Sequence, residues 1–181
     1  MTIEYTVEEK DYLTHQLFVA SKSERIRKKR RNYRSIVPLM YVAFMLYSVY
    51  EGEYLATILF LIMAVVWFLL YPYWDRWRYR THYRAFVKEH HKDGYDETVT
   101  LTLNDDHIAA KSEGSEGTVQ WTEAQEICEI PTTIFIRFNG GQSLILPKDK
   151  LPDLDLVTQR LKELAGRWKI PYEVDEKWEW R

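Results

Sequence analysis

The chain has 181 residues, 46% of them hydrophobic and 15% aromatic, with 25 basic against 27 acidic side chains and a net charge of −2. The single cysteine, Cys128, excludes an internal disulfide and reads as a small buried hydrophobe in a reducing compartment. Charge is unevenly spread: residues 1–90 hold 14 basic and 9 acidic residues, net +5, and residues 91–181 hold 11 and 18, net −7, which disfavours nucleic acid as a partner of the distal half.

Thr2-Ile3-Glu4-Tyr5-Thr6-Val7 alternates and predicts a short strand. Glu8-Glu9-Lys10-Asp11 places acids in a first helical turn, with Thr6 as a candidate N-cap, and Tyr12, Leu13, Leu17, Phe18 and Ala20 form an apolar helical face. The helix is expected to run on through Ser21–Arg34. Met1–Lys10 lacks a signal-peptide pattern, so the first apolar run is expected to act as an uncleaved anchor.

Two uncharged apolar runs follow, Ser35–Tyr50 and Tyr54–Trp74, separated by Glu51-Gly52-Glu53. A membrane-spanning helix needs about 20 apolar residues, within a range of roughly 17–25. Tyr54–Trp74 meets that length; Ser35–Tyr50 is short and contains Pro38 and Ser48. Eight Lys or Arg residues fall in Lys22–Arg34 and five in Arg76–Lys88, flanking the pair on both sides. Basic flanks face the cytoplasm, so the pattern predicts a two-span hairpin with both ends inside and the Glu51–Glu53 tip outside. Tyr47, Tyr50 and Tyr54 sit near the tip; Trp67, Tyr71, Trp74 and Trp77 are candidate anchors at the other interface. Two helices apolar on all faces exceed what a soluble core of this size covers.

Asp75–His91 reads as a continuing or bent helix, with Pro72 a candidate kink and Lys92-Asp93-Gly94 its end. From Asp96 the period changes to two. Strands are expected at Thr98–Leu103, His107–Ser112, Thr118–Trp121, Ile127–Ile130, Ile134–Phe138 and Ser143–Leu146, the last two joined by Asn139-Gly140-Gly141. Leu154, Leu156, Val157, Leu161, Leu164 and Trp168 then lie at helical spacing, with closure near Gly166. A meander closed by one amphipathic helix has the shape of the C-terminal half of a pleckstrin-homology-like domain. The fold class expected is therefore membrane α+β, a two-helix transmembrane hairpin with basic helical flanks and a small antiparallel sheet domain. Its divisions are 1–34, 35–74 (35–50 and 54–74), 75–95, 96–169 and a tail at 170–181.

Leu101-Thr102-Leu103, Ile108, Gly117-Thr118-Val119-Gln120-Trp121-Thr122-Glu123, Phe135-Ile136 and Leu144-Ile145-Leu146-Pro147-Lys148, preceded by Ile3-Glu4-Tyr5, a basic segment and two apolar runs, resemble the YcxB-like family of bacterial membrane proteins. The resemblance implies a pleckstrin-homology-like cytoplasmic domain on a two-span anchor in the bacterial inner membrane, with both termini cytoplasmic. It carries over no catalytic residue.

The candidate membrane-surface contacts are Arg25, Arg27, Lys28, Lys29, Arg30, Arg31, Arg34, Arg76, Arg78, Arg80 and Arg84. Trp178 and Trp180 share one face if extended; the open readings are docking on the chain itself or the membrane interface, contact with a partner or second protomer, and a disordered tail. His82, His90 and His91 lack paired i, i+4 metal spacing, and Asp93-Gly94-Tyr95-Asp96 lacks the alternating ligands of a calcium loop. Gly114-Ser115-Glu116-Gly117 lacks the Lys-Ser/Thr and helix of a phosphate loop. No catalytic group, metal or cofactor is expected. The function expected is a non-enzymatic membrane-anchored protein-interaction module, with a toxin-neutralising immunity protein and an anionic-lipid-responsive regulator as alternatives. Its expected partners are membrane lipids, a protein and a second copy of the chain.

Overall fold

Ile3, Tyr5 and Val7 alternate with Thr2, Glu4 and Thr6, and this period of two builds strand β1 (Thr2–Val7) with its apolar side buried. The structure, a computed structural model, describes residues 1–90, 97–112 and 114–180. The fold is α+β, with four α-helices and two four-stranded sheets among the described residues. It divides into two units: Met1–His15 with Phe86–Glu179, and Gln16–Ala85 with the C-terminal Trp180.

In the first unit, β1 pairs antiparallel with β2 (Glu97–Leu103), Ile3 opposite Leu101 and Tyr5 opposite Val99. Strands β3 (His107–Lys111) and β4 (Glu116–Gln120) complete a sheet in the order β1-β2-β3-β4. The second sheet has the order β7-β6-β5-β8, from β5 (Ala124–Glu129), β6 (Thr133–Phe138), β7 (Ser143–Pro147) and β8 (Tyr172–Val174). The turn between β6 and β7 closes as the Gly pair demands: Gly141 sits at φ 80°, and its N–H donates to the Phe138 carbonyl at 3.0 Å. Helix α4 (Leu154–Trp168) buries Val157, Leu161, Leu164 and Ala165, a stripe at helical spacing. Each such large aliphatic side chain contributes roughly 1.5–3 kcal/mol on burial. Asp153 caps the helix by accepting from the Leu156 N–H at 2.9 Å.

Four local departures from the sequence expectation have physical causes. Trp121 does not end β4; it opens a 3₁₀ turn, Trp121–Glu123, with its ring fully buried and its indole Nε1 donating to the Asn104 carbonyl at 2.9 Å. Helix α4 passes Gly166 and closes at Lys169, which takes φ 55° while the Ile170 N–H returns to the Ala165 carbonyl. The tail supplies β8, parallel to β5 and held by Ile127 N–H to the Pro171 carbonyl at 2.9 Å. Helix α1 (Glu9–Lys22) does not run on: Ser23 leaves the helical region at ψ 116°, and the Ser21 hydroxyl turns back to the Phe18 carbonyl. The helix end expected at Lys92-Asp93-Gly94, His91, Asp96, the 95/96 boundary and Glu113 lie outside the described residues.

Two long helices, α2 (Glu24–Tyr50) and α3 (Tyr54–His90), are continuous through Pro38 and Pro72; α2 and the part of α3 up to Ala85 belong to the second unit. Glu51–Glu53 joins them, with Gly52 at φ 78°. Phe44 stacks on Phe60 at 5.5 Å, the Trp67 indole reaches the Tyr33 carbonyl at 3.4 Å, and the Arg34 guanidinium lies 4.5 Å from the Phe68 ring. As the position on α2 falls, the partner on α3 rises, so the helices are antiparallel. Tyr54–Glu89 is, among the described residues, the one helix long and apolar enough to cross a membrane. The uncharged part of α2 is shorter, since its N-terminal half carries the basic run.

One half-buried group of the first unit titrates in an accessible range. The His15 imidazole packs 5.3 Å from the Phe135 ring with Nε2 buried and unpartnered, and burial, then the nearby Arg137 charge, lowers its pKa to about 4. An unfolded chain binds this proton from about pH 6.5 downward. The contribution of neutral His15 is therefore complete above about pH 6.5 and is lost as pH falls to about 4. Across this window His15→Leu is expected to lose on the order of 2 kcal/mol less stability than the unsubstituted chain. Thermal unfolding of both at matched pH checks this; parallel curves would remove His15 as the cause.

Candidate functional site

Helical spacing puts Tyr71, Asp75 and Arg78 on one face of α3, at i, i+4 and i+7. Asp75 is only 1% exposed. Its carboxylate accepts from Arg30 Nε on α2, from Arg78 Nη2 at 3.0 Å and from the Tyr71 hydroxyl at 3.4 Å. A buried carboxylate is costly to desolvate, and two guanidiniums with a hydroxyl supply the compensation. The cluster extends outward by ring contacts. Arg30 lies 4.7 Å from the Trp180 ring and 5.7 Å from Tyr79, while Arg78 lies 4.7 Å from Trp74 and 5.2 Å from Tyr79. Trp180 is 8% exposed and meets Tyr79 edge-on at 5.7 Å. Its indole Nε1 is buried without a hydrogen-bond partner among the described residues. This arrangement clamps α2 to α3 through the Arg30–Asp75 pair, with the second guanidinium, Arg78, bracing the same carboxylate.

The basic residues singled out in the sequence separate into groups. Arg30 and Arg78 hold Asp75, Arg34 covers Phe68, and Arg76 lies 5.9 Å from the Tyr73 ring. Arg25, Arg27, Lys28, Lys29 and Arg31 are exposed and make no ion pair among the described residues. Arg80 and Arg84 are exposed on α3. Of the aromatic anchors, Trp67, Tyr71 and Trp74 form one cluster with centroid separations of 5.5–6.2 Å, whereas Trp77 is exposed. Trp178 is half-buried in the first unit. The sequence reading missed Asp75. Its signal was present: it is the only acidic residue between Glu53 and Glu89, directly after the second apolar run.

In the first unit, Glu126, Cys128 and Glu173 bring ligand atoms within 4.8 Å of one another. Glu126 is already ion-paired to Arg137, which leaves its carboxylate committed within the sheet. A cavity of about 570 Å³ bordered by Lys10, Thr132, Lys148 and Leu154 has its cations internally paired. Lys10 binds Asp149 at 3.0 Å, and Lys148 binds Glu129 at 2.7 Å. Burial works to raise the Glu129 carboxyl, but hydrogen bonds from Lys148 and Tyr172 outweigh it and hold the group below the usual glutamate range.

Comparison with known proteins matches residues 103–158 to the family model described as YcxB-like protein. The match runs from the end of β2 into α4 and agrees with the resemblance carried by Gly117–Glu123 and Leu144–Lys148. No curated protein and no solved structure matches the chain.

Removing the clamp has a defined signature. Asp75→Asn is expected to destabilise the helix pair by about 3 kcal/mol, because two guanidiniums lose their counter-charge. Adding Arg30→Met to that background is expected to cost under about 1 kcal/mol more. A double-mutant cycle by thermal unfolding in detergent micelles measures the coupling, and strict additivity would show that the two side chains act independently.

Proposed function

We propose, from the YcxB-like segment and the exposure of both long helices, that the chain is a non-enzymatic membrane-anchored protein-interaction module. Its α2–α3 hairpin crosses a bacterial inner membrane twice, and its two-sheet unit is a pleckstrin-homology-like domain on the cytoplasmic side. The observation that carries this reading is the outward apolar surface of both helices. On α2, Leu39, Met40, Leu46 and Val49 are more than half exposed; on α3 so are Leu55, Ile58, Leu69 and Leu70. Contiguous apolar surface on this scale is unfavourable in water and matches hydrocarbon.

The sheet pairing supports the second crossing. Since β1 and β2 are neighbours in one sheet, the chain departs from that unit after His15 and is back by Phe86. A crossing by α3 alone would strand the two partners on opposite faces of the bilayer. The uncharged run 35–50 spans about 24 Å as a helix, short of a hydrocarbon core of about 30 Å. Local thinning of the bilayer and snorkelling of Arg34 accommodate such a mismatch at modest cost. The pleckstrin-homology-like reading rests on element order: four antiparallel strands, then β5–β7, then a closing helix, with β1 and β7 near each other at the sheet edges.

Partner binding is assigned to β4. This strand pairs only with β3 among the described residues, and Glu116, Gly117, Thr118 and Gln120 are exposed, leaving a backbone edge for strand addition.

Two measurements test the two halves of the proposal. In a Cys128→Ala background, Glu53→Cys is expected to react with an impermeant maleimide in intact spheroplasts, and Lys177→Cys only after lysis; labelling of both from one side overturns the double crossing. A photo-crosslinker at Thr118 is expected to capture a protein in native membranes at least about tenfold more than one at Gln159, with Thr118→Pro abolishing affinity capture of that protein but not membrane retention. Equal capture at both positions would remove β4 as the binding edge.

A further inference from the structure

Helix α2 starts at Glu24 and winds about 100° per residue. On that geometry Arg25, Lys28, Lys29 and Asn32 share one face, while Arg27, Arg30, Arg31 and Arg34 share the opposite one. The opposite face is partly spent inside the unit, on Asp75 through Arg30 and on Phe68 through Arg34. The first face is not. Arg25, Lys28 and Lys29 are exposed cations without an ion pair among the described residues, and with Asn32 they line an open strip on the surface of α2.

The same strip continues down the helix. There it is apolar, with Ile36 and Met40 each about half exposed. From Asn32 to Met40 the helix rises about 12 Å, less than the roughly 15 Å depth of one hydrocarbon leaflet. Cationic, amide and then aliphatic side chains thus follow one another along a single strip. That order matches phosphate, glycerol ester and acyl chain in one phospholipid molecule. Arg25 also lies in the first turn of α2, where the helix dipole disfavours a cation, and Ser23 makes no side-chain cap. An anion placed there relieves both deficits.

We infer that this strip is a seat for one anionic phospholipid, its phosphate held by Arg25, Lys28, Lys29 and Asn32 and its acyl chain lying along Ile36 and Met40. The inference rests on the membrane reading above and goes beyond it. Topology requires only that basic residues stand at the inner boundary, whatever their face. The seat requires the cations of one face and not those of the other. A soluble phosphate would use only the upper half of the strip, which leaves the apolar half uncovered.

The test uses the full chain in nanodiscs of phosphatidylcholine and phosphatidylglycerol in equal parts, with retained lipid read by native mass spectrometry. Two charge-matched variants separate the explanations. Each cation near an anionic surface is worth about fivefold in affinity, so Lys28→Gln/Lys29→Gln is expected to weaken phosphatidylglycerol retention by about thirtyfold. Arg27→Gln/Arg31→Gln is expected to change it by less than about twofold. Equal losses in the two variants overturn the seat and leave a non-selective basic belt. Displacement of the lipid by glycerol phosphate or by an acidic peptide also overturns it, since neither fills the apolar half. Extraction of the unsubstituted chain from vesicles by alkaline carbonate overturns the membrane reading itself; retention there with indistinguishable variants overturns only the seat.

Discussion

The antiparallel pairing of β1 with β2 is the constraint on which the architecture depends. Ladder bonds join Thr2–Val7 to Glu97–Leu103, and both helices of the second unit lie in the chain between them. Closing so long a loop costs conformational entropy that rises only slowly with length, and the buried side chains Ile3, Tyr5 and Leu101 offset it by contributing to the sheet core. The consequence is topological. The chain leaves the first unit after His15 and returns to it by Phe86, so both long helices are confined to the excursion between two paired strands.

Within the hairpin, a single carboxylate governs how the basic flanks are used. Without Asp75, Arg30 and Arg78 would be two more cations of the basic flanks. With it, Arg30 bridges α2 to α3, Arg78 braces the same carboxylate from within α3, and the Arg30 guanidinium also lies against the Trp180 ring. The positive charge of the flanks is thus divided between holding the helices together and facing outward. The division follows helical phase: the inward residues are those whose angle on α2 brings them over α3.

Much of the local structure was legible because burial imposes periodicity. Ile3, Tyr5 and Val7 in β1 and the 157–161–164–165 stripe of α4 repeat at the spacing their elements require, so their element types follow from the residues alone. What failed to show was non-local. Strand β8 is three residues long and exists because Ile127 and Glu129 of β5 supply backbone partners far away in the chain. Trp121 continues an alternating pattern, yet a large ring that must be buried with its N–H satisfied turns the backbone into a 3₁₀ segment instead. The break at Ser23 carries only weak local signal, two serines around a lysine, and helix periodicity on either side conceals it.

The candidate sites divide along the same line. Apolar exposure could be read from composition, because no arrangement of two fully apolar helices hides both in a chain of this length. The clamp and the outward strip could not, since Arg25 to Arg34 form one uninterrupted basic run in the sequence. Only the helix phase, fixed by Phe44 on Phe60 and by Arg34 on Phe68, decides which members face α3 and which do not. A run that looks like a uniform charge therefore holds side chains in different settings: Arg30 is ion-paired to Asp75 and Arg34 lies against Phe68, while Arg25, Lys28 and Lys29 are exposed.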